Sequence, residues 1–344
     1  MARRQGLIAA AVLACCALGI AACSSSKSGG GSGGSASTSG SGSSSAAKSG
    51  TYYWLQGFSG NPTSELAVQS FLGQCKTEGL KCAAITSTGA SVDDFVNLMP
   101  KALAKGDALG IAVWGDSPAY FPYFKQAKVP IVRMHFYEKD GYYPGKVYYT
   151  GADPAQYAKA AADSMCTKLK ADGNDSGTVA ITQASSNVTE NAVSSTFTTE
   201  MKSVCPSAKV LGAQSEGTDA PAAVAKAVSI IQAHSDIVAA LSTTGGGAAT
   251  WSGAQTQTGK KITVVAVDYT RQNLDLVKSG KIFALIGQPV AKESQQVATI
   301  FNDLGKGKTV EYYTKLEAPI ITKDGAGAQG IQFYYDLLNK IPGA

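Results

Sequence analysis

The sequence predicts an α/β protein built as two doubly wound parallel sheets with a cleft between them. Short apolar runs rich in β-branched residues alternate with helical-period segments from Thr51 onward. The alternation restarts at Pro154 after a short strand at 147–150, so there are two series and hence two lobes. No repeat of short period and no bilayer-length apolar segment interrupts either series. Strand–helix–strand alternation of this kind requires parallel strands joined by right-handed crossovers.

In the first series, strands are expected at 52–56, 83–86, 110–114 and 130–134, with helices at 65–78, 92–104 and 120–127. The second opens with a helix at 154–170 and a strand at 178–183. Helix 190–204, strand 209–213, helix 220–233, strand 237–241 and helix 248–257 follow.

The stretch 261–297 organises the rest. Its apolar run, 262–267, suits a strand buried on both faces and stops abruptly at Asp268. That places Asp268 at a strand's carboxyl end, where open α/β sheets put their ligand contacts. A helix at 272–279, a stop at Gly280 and a second buried strand at 282–287 lead into Gln288-Pro289. A last helix is expected at 295–304.

Strand–Asp268, helix, Gly280-Lys281, strand–Gln288 resembles the sugar-binding domain of type I periplasmic binding proteins, the ribose and galactose group. The resemblance extends over about 52–304 and includes the strand entry Val129-Pro130-Ile131-Val132. It implies two lobes joined by a three-segment hinge, with crossings near 151–153, 269–288 and 313–319. The first lobe would comprise 51–151 with 289–315, and the second 152–288 with 316–344.

In that family the aspartate grips ligand hydroxyls and the glutamine lies at the hinge, roles that fall here on Asp268 and Gln288. The family's first-loop Asn-Pro falls on Asn61-Pro62, followed here by Thr63-Ser64 where aromatic residues are usual. His135-Phe136 stands where the family has an Asp-Arg clamp. Asn191 falls near a usual arginine and Thr243 near a usual asparagine.

Loops after the strand ends give a chemically coherent set. Asn and Gln amides and the Asp268 carboxylate supply the paired donors and acceptors that polyols need. Phe58, Trp114 and Phe136 supply flat apolar surfaces for C–H faces. Few fixed charges stand in these loops, which argues for a neutral ligand. Each residue also has a plainer role: Asp268 as a helix cap, Gln288 as a hinge backbone partner, His135 and Trp114 as core, and Asn61 as a turn former.

Residues 1–50 are not domain material. Arg3 and Arg4 precede an apolar stretch at 7–22, and Ile20-Ala21-Ala22-Cys23 reads as a lipobox with Ile where Leu is commoner. Residues 1–22 are therefore expected to be a lipoprotein signal peptide and Cys23 the lipidation site; the stretch is short for a membrane span. A diacylglyceryl group gives stable anchoring. Residues 23–50, almost wholly Ser, Gly and Ala after the cysteine, form a tether reaching roughly 30 Å.

Cys75, Cys82, Cys166 and Cys205 remain, an even number in an exported chain, which favours disulfides. The expected pairs are Cys75–Cys82 and Cys166–Cys205. No CxxC or neighbouring His supports a metal site or catalytic thiol.

Net charge is +5, or +3 once Arg3 and Arg4 leave with the signal, and without a basic cluster nucleic acid is not expected as a partner. Gly307-Lys308-Thr309 follows a helix rather than a strand, against a phosphate loop. Only His135 and His234 occur, without a Ser/His/Asp set or paired strand-end carboxylates.

The expectation is a monomeric, non-catalytic, cofactor-free solute receptor on the cell exterior. It would be lipid-anchored to the cell membrane and feed a sugar or polyol to the permease of an ABC-type importer. A purine-nucleoside or signal-molecule receptor of the same fold and an extracytoplasmic hydrolase are the alternatives.

Overall fold

A computed structural model describes residues 49–57, 62–87, 92–114, 117–135 and 141–341. Cys23, Phe58, Asn61 and Phe136 lie outside the described residues. The first series gives β1 (Thr51–Gln56), α1 (Pro62–Glu78), β2 (Cys82–Thr86), α2 (Val92–Val96) and α3 (Leu98–Leu103). It continues through β3 (Ala108–Trp114), α4 (Phe121–Gln126), β4 (Ile131–Met134) and β5 (Val147–Ala152). The helix expected at 92–104 is broken in two. Pro100 has no N–H to donate to Val96, so the first turn cannot continue into the second.

The second series runs α5 (Pro154–Ala171), β6 (Thr178–Gln183), α6 (Val188–Val204), β7 (Lys209–Val210), β8 (Gln214–Ser215) and α7 (Ala220–Ala233). Next come β9 (Ile237–Ser242), α8 (Gly247–Thr258), β10 (Thr263–Val267), α9 (Arg271–Lys278) and β11 (Ala284–Ile286). The chain then forms α10 (Val290–Gly305) and β12 (Tyr313–Leu316), followed by β13 (Ile320–Thr322) and α11 (Ile331–Leu338).

The strands form two sheets, β12-β5-β4-β3-β1-β2 and β13-β11-β10-β9-β6-β7, with β8 beside β6. All pairings are parallel except β13 on β11. The fold is thus a two-lobed α/β structure whose sheets are linked by three connections. These run from β5 to α5, from β11 to α10 and from β12 to β13. The middle connection is confined to 287–289 because β10 and β11 are both strands of the second sheet and α9 only joins one to the other.

Period-two alternation explains the layers. Val264 and Ala266 of β10 join one core with Trp251 and Leu285, while Val265 and Val267 join the opposite one with Met165 and Phe197. The Tyr52 ring of β1 stacks on Phe301 of α10 at 4.8 Å, which fixes the returning helix to the first sheet. Cys75–Cys82 and Cys166–Cys205 are both bonded. The first ties α1 to β2; the second ties α5 to the end of α6. Among the described residues no helix is long and apolar enough to cross a membrane.

Candidate functional site

Carboxyl ends of parallel strands leave backbone groups and loop side chains facing whatever lies beyond the sheet. At the end of β10, Asp268 still donates its N–H to Ile286 at 3.1 Å, then turns the chain with φ of 69°. The side-chain amide of Asn273 secures that turn by donating to the carbonyls of Gly245, Val267 and Asp268. Thr270 caps α9 by accepting from the Asn273 N–H, so Asp268 is not the helix cap. Its Oδ2 instead accepts from the Thr63 hydroxyl at 3.0 Å, and Thr63 stands on α1 of the other lobe. Its Oδ1 is buried and accepts no hydrogen bond from a described residue.

The facing residue is His135, just past β4, with φ of 68°. Among the described residues, His135 and Asp268 are the only non-glycine positions at positive φ. Such conformations carry a local energy cost and collect at functional sites. His135 Nδ1 lies 2.7 Å from Oε1 of Glu293, on the first turn of α10, and both side chains are buried. The ring meets Trp114 edge-on at 5.0 Å, and Trp114 in turn meets Trp54 edge-on at 6.3 Å.

Gln288, between β11 and α10, donates to the Tyr157 hydroxyl of α5 at 3.2 Å. Both are buried, so the middle connection is tied to the helix that follows the first. Asp268, His135 and Trp114 therefore converge, with Gln288 bound in at the hinge.

Thr243 and Asn191 have other partners. Thr243 donates to Glu190 at 3.2 Å. Glu190 also accepts from the N–H groups of Ala184 and Ser185 and from the Asn187 amide. Asn191 is exposed and bonded within its own turn to Gln183 and Ser186. Asn187 caps α6 by accepting from Glu190 N at 2.8 Å. The Asn187-x-x-Glu190 spacing is a capping-box pattern and was the available signal for that carboxylate.

Four carboxylates on or beside these strand ends and the start of α10 are buried: Glu190, Glu216, Asp268 and Glu293. Glu216 accepts from Ser242 at 3.2 Å and from Thr244 at 2.6 Å. Burial pushes the Asp268 carboxyl above its ordinary range; His135 and the Thr63 hydroxyl oppose the shift and Glu293 adds to it. Burial also raises Glu190, against the pull of its Ser185, Ala184 and Thr243 donors and with a contribution from Glu216. Burial raises Tyr157, its bond to Gln288 opposes this, and Glu293, Asp268 and Glu190 reinforce it.

Sequence comparison with curated proteins gave no match. Among solved structures, the chain is similar to GanP, a glucose-galactose binding protein from Geobacillus stearothermophilus. The TM-score is 0.72 at 18% identity, covering 80% of this chain and 98% of that one. AraP, an arabinose binding protein from the same organism, gives 0.68 at 19% identity, with 80% and 97% covered. A periplasmic solute binding protein from Actinobacillus succinogenes with bound D-allose gives 0.72 at 18% identity, with 80% and 98% covered. Residues 52–309 match the periplasmic binding protein domain, and the chain belongs to that family.

Proposed function

We propose that this protein is an extracytoplasmic solute-binding lipoprotein that captures a sugar or polyol between its lobes and delivers it to an ABC-type importer. The observation that carries the proposal is Asp268: a buried carboxylate at a strand end, bonded through one oxygen to the opposite lobe and offering the other. A ligand hydroxyl is the donor such an oxygen lacks. The similarity to glucose-galactose, arabinose and allose binding proteins supports the same class of ligand.

In this reading the lobes, 51–151 with 289–315 and 152–288 with 316–344, close about the three connections. Asp268, His135, Asn61, Asn191, Thr243 and Gln288 face or frame the ligand, and Phe58, Trp114 and Phe136 cover its C–H faces. A misfitting ligand leaves a buried acceptor unpaired at about 1–3 kcal/mol per group, which is the source of specificity. The carboxylates act as fixed acceptors and catalyse nothing. Cys23 carries the lipid, and residues 24–50 let a monomeric receptor reach its permease from the membrane surface.

A thermal-shift screen of monosaccharides, polyols and nucleosides tests this directly. Stabilisation by a sugar or polyol, lost in Asp268→Ala, is expected. A response to nucleosides alone, or turnover of a glycoside, overturns it.

A further inference from the structure

Asp268 marks the carboxyl end of β10, and the opposite end of that five-residue strand lies roughly 17 Å away. A cavity of about 490 Å³ opens there, at the amino ends of β9, β10 and β11, a size that suits a small molecule. Ile237, Ile262, Ile282 and Phe283 give it an apolar lining. Lys168, Lys260, Lys261, Lys281 and Lys323 line it as well, against one carboxylate, Asp172.

The fold assembles this basic cluster from separate segments. Lys168 stands in the last turn of α5, Lys260 and Lys261 follow α8, Lys281 follows α9 and Lys323 follows β13. Asp172 is taken up by Lys168, at 2.5 and 2.6 Å, and Lys260 donates to the Ser235 carbonyl at 2.5 Å. The ammonium groups of Lys261, Lys281 and Lys323 have no ion-pair or hydrogen-bond partner among the described residues. Asp175, Asp236 and Asp324 adjoin lining residues in sequence without lining the cavity, and Asp236 accepts from Thr178 at 2.7 Å.

Part of this positive charge answers the helices. α5, α7, α8 and α9 each lead into the amino end of a strand, so their carboxyl ends point to this face. Each contributes about half a negative charge, about two in all, whereas the five lysines less Asp172 leave four positive charges. The excess, about two charges, is that of a phosphate group, whose oxygens accept charge-assisted bonds from ammonium donors. We propose that this cavity binds a phosphate-bearing anion, either a soluble organic phosphate or a lipid headgroup, at a site separate from the interlobe cleft.

The mature chain would be titrated calorimetrically at low ionic strength with tripolyphosphate and with dihexanoylphosphatidylglycerol below its micelle concentration. Dihexanoylphosphatidylcholine is the zwitterionic control. Lys261→Gln/Lys281→Gln/Lys323→Gln is expected to weaken binding at least about tenfold, or about 1.4 kcal/mol. Lys101→Gln/Lys128→Gln/Lys226→Gln removes the same charge from exposed positions outside the cavity and is expected to change affinity much less. In the unaltered protein, tripolyphosphate is expected to slow acetylation of Lys261, Lys281 and Lys323 more than that of the other three, as read by mass spectrometry. That arm needs no variant to fold.

Binding of tripolyphosphate alone supports the site and identifies a soluble phosphate as its ligand. Preference for phosphatidylglycerol over phosphatidylcholine supports it and identifies a headgroup. Equal binding of the two lipids without tripolyphosphate overturns the proposal, because the cavity then takes acyl chains rather than phosphate. Equal weakening by the two triple variants, uniform protection of all six lysines, or no binding of any probe overturns it as well.

Discussion

The Thr63 hydroxyl donates to Asp268 Oδ2 at 3.0 Å and so joins α1 of the first lobe to the end of β10 in the second. A hydrogen bond to a buried carboxylate that exists only while the lobes are together favours the closed form. Thr63→Val keeps the shape of the side chain and removes the donor. The loss of a bond to a charged group, about 1.5–3 kcal/mol, falls on closure. Ligand affinity is expected to drop roughly 10- to 100-fold, with small-angle scattering showing a larger ligand-free radius of gyration. Unchanged affinity would show that the bond does not govern closure.

Asp268 should trade stability for binding in a pH-dependent way. Burial holds its folded-state proton to higher pH than in the unfolded chain; His135 and Thr63 oppose this and Glu293 adds to it. The folded state then binds more protons than the unfolded state as pH rises through that window, so stability falls with rising pH there. The penalty is absent below the unfolded carboxylate pKa, about 4, and is fully developed above the raised folded value. Asp268→Asn keeps an acceptor for Thr63 and removes the charge. Its ligand-free melting temperature is expected to exceed the parent's at neutral pH by roughly 2–4 °C per kcal/mol recovered, converging below about pH 4. A difference that persists unchanged into acid would rule out the carboxyl as its source.

How legible this site was depended on how local each signal is. The apolar run ending at Asp268 contains its own termination, so β10 and the residue closing it could be placed from sequence alone. The start of α10 could not. Gln288-Pro289 reads as loop, yet the helix begins at Val290, which puts Glu293 on its first turn. β12 and β13 are short, and what makes them strands is pairing with Tyr149–Ala152 and with Ala284–Ile286, contacts far away along the chain. The partners of Glu216 and Glu293 come from distant segments, Ser242 and Thr244 for one and His135 for the other. The loop 215–219 that holds Glu216 follows a strand end and so falls within the expected site region, whereas nothing in the sequence around Glu293 indicated a site. The positive φ of His135 likewise belongs to the tertiary structure.

The His135–Glu293 pair is expected to behave as a buried ion pair. Its side chains are 8% and 2% exposed, so removing one partner strands the other away from water. His135→Asn suits the left-handed backbone at this position but removes the imidazole. It is expected to cost about 3–5 kcal/mol in urea unfolding. Combining it with Glu293→Gln removes the stranded charge and should recover part of the loss, giving a coupling of roughly 0.5–3 kcal/mol. Strict additivity would show that the two do not interact energetically.

The two disulfides should stabilise unequally. Cys75–Cys82 spans a separation of 7 residues and Cys166–Cys205 one of 39. A cross-link restrains the unfolded chain more as the loop it closes lengthens. On the chain-entropy account this gives about 2.5 kcal/mol for the short bridge and about 4 kcal/mol for the long one. Denaturant unfolding of Cys75→Ala/Cys82→Ala and Cys166→Ala/Cys205→Ala is therefore expected to show the larger loss for the second pair. Packing points the same way, since Cys166 and Cys205 are both buried whereas Cys82 is only partly buried. A larger loss from the short bridge would mean that the α1–β2 contact it holds outweighs the restraint on the unfolded chain.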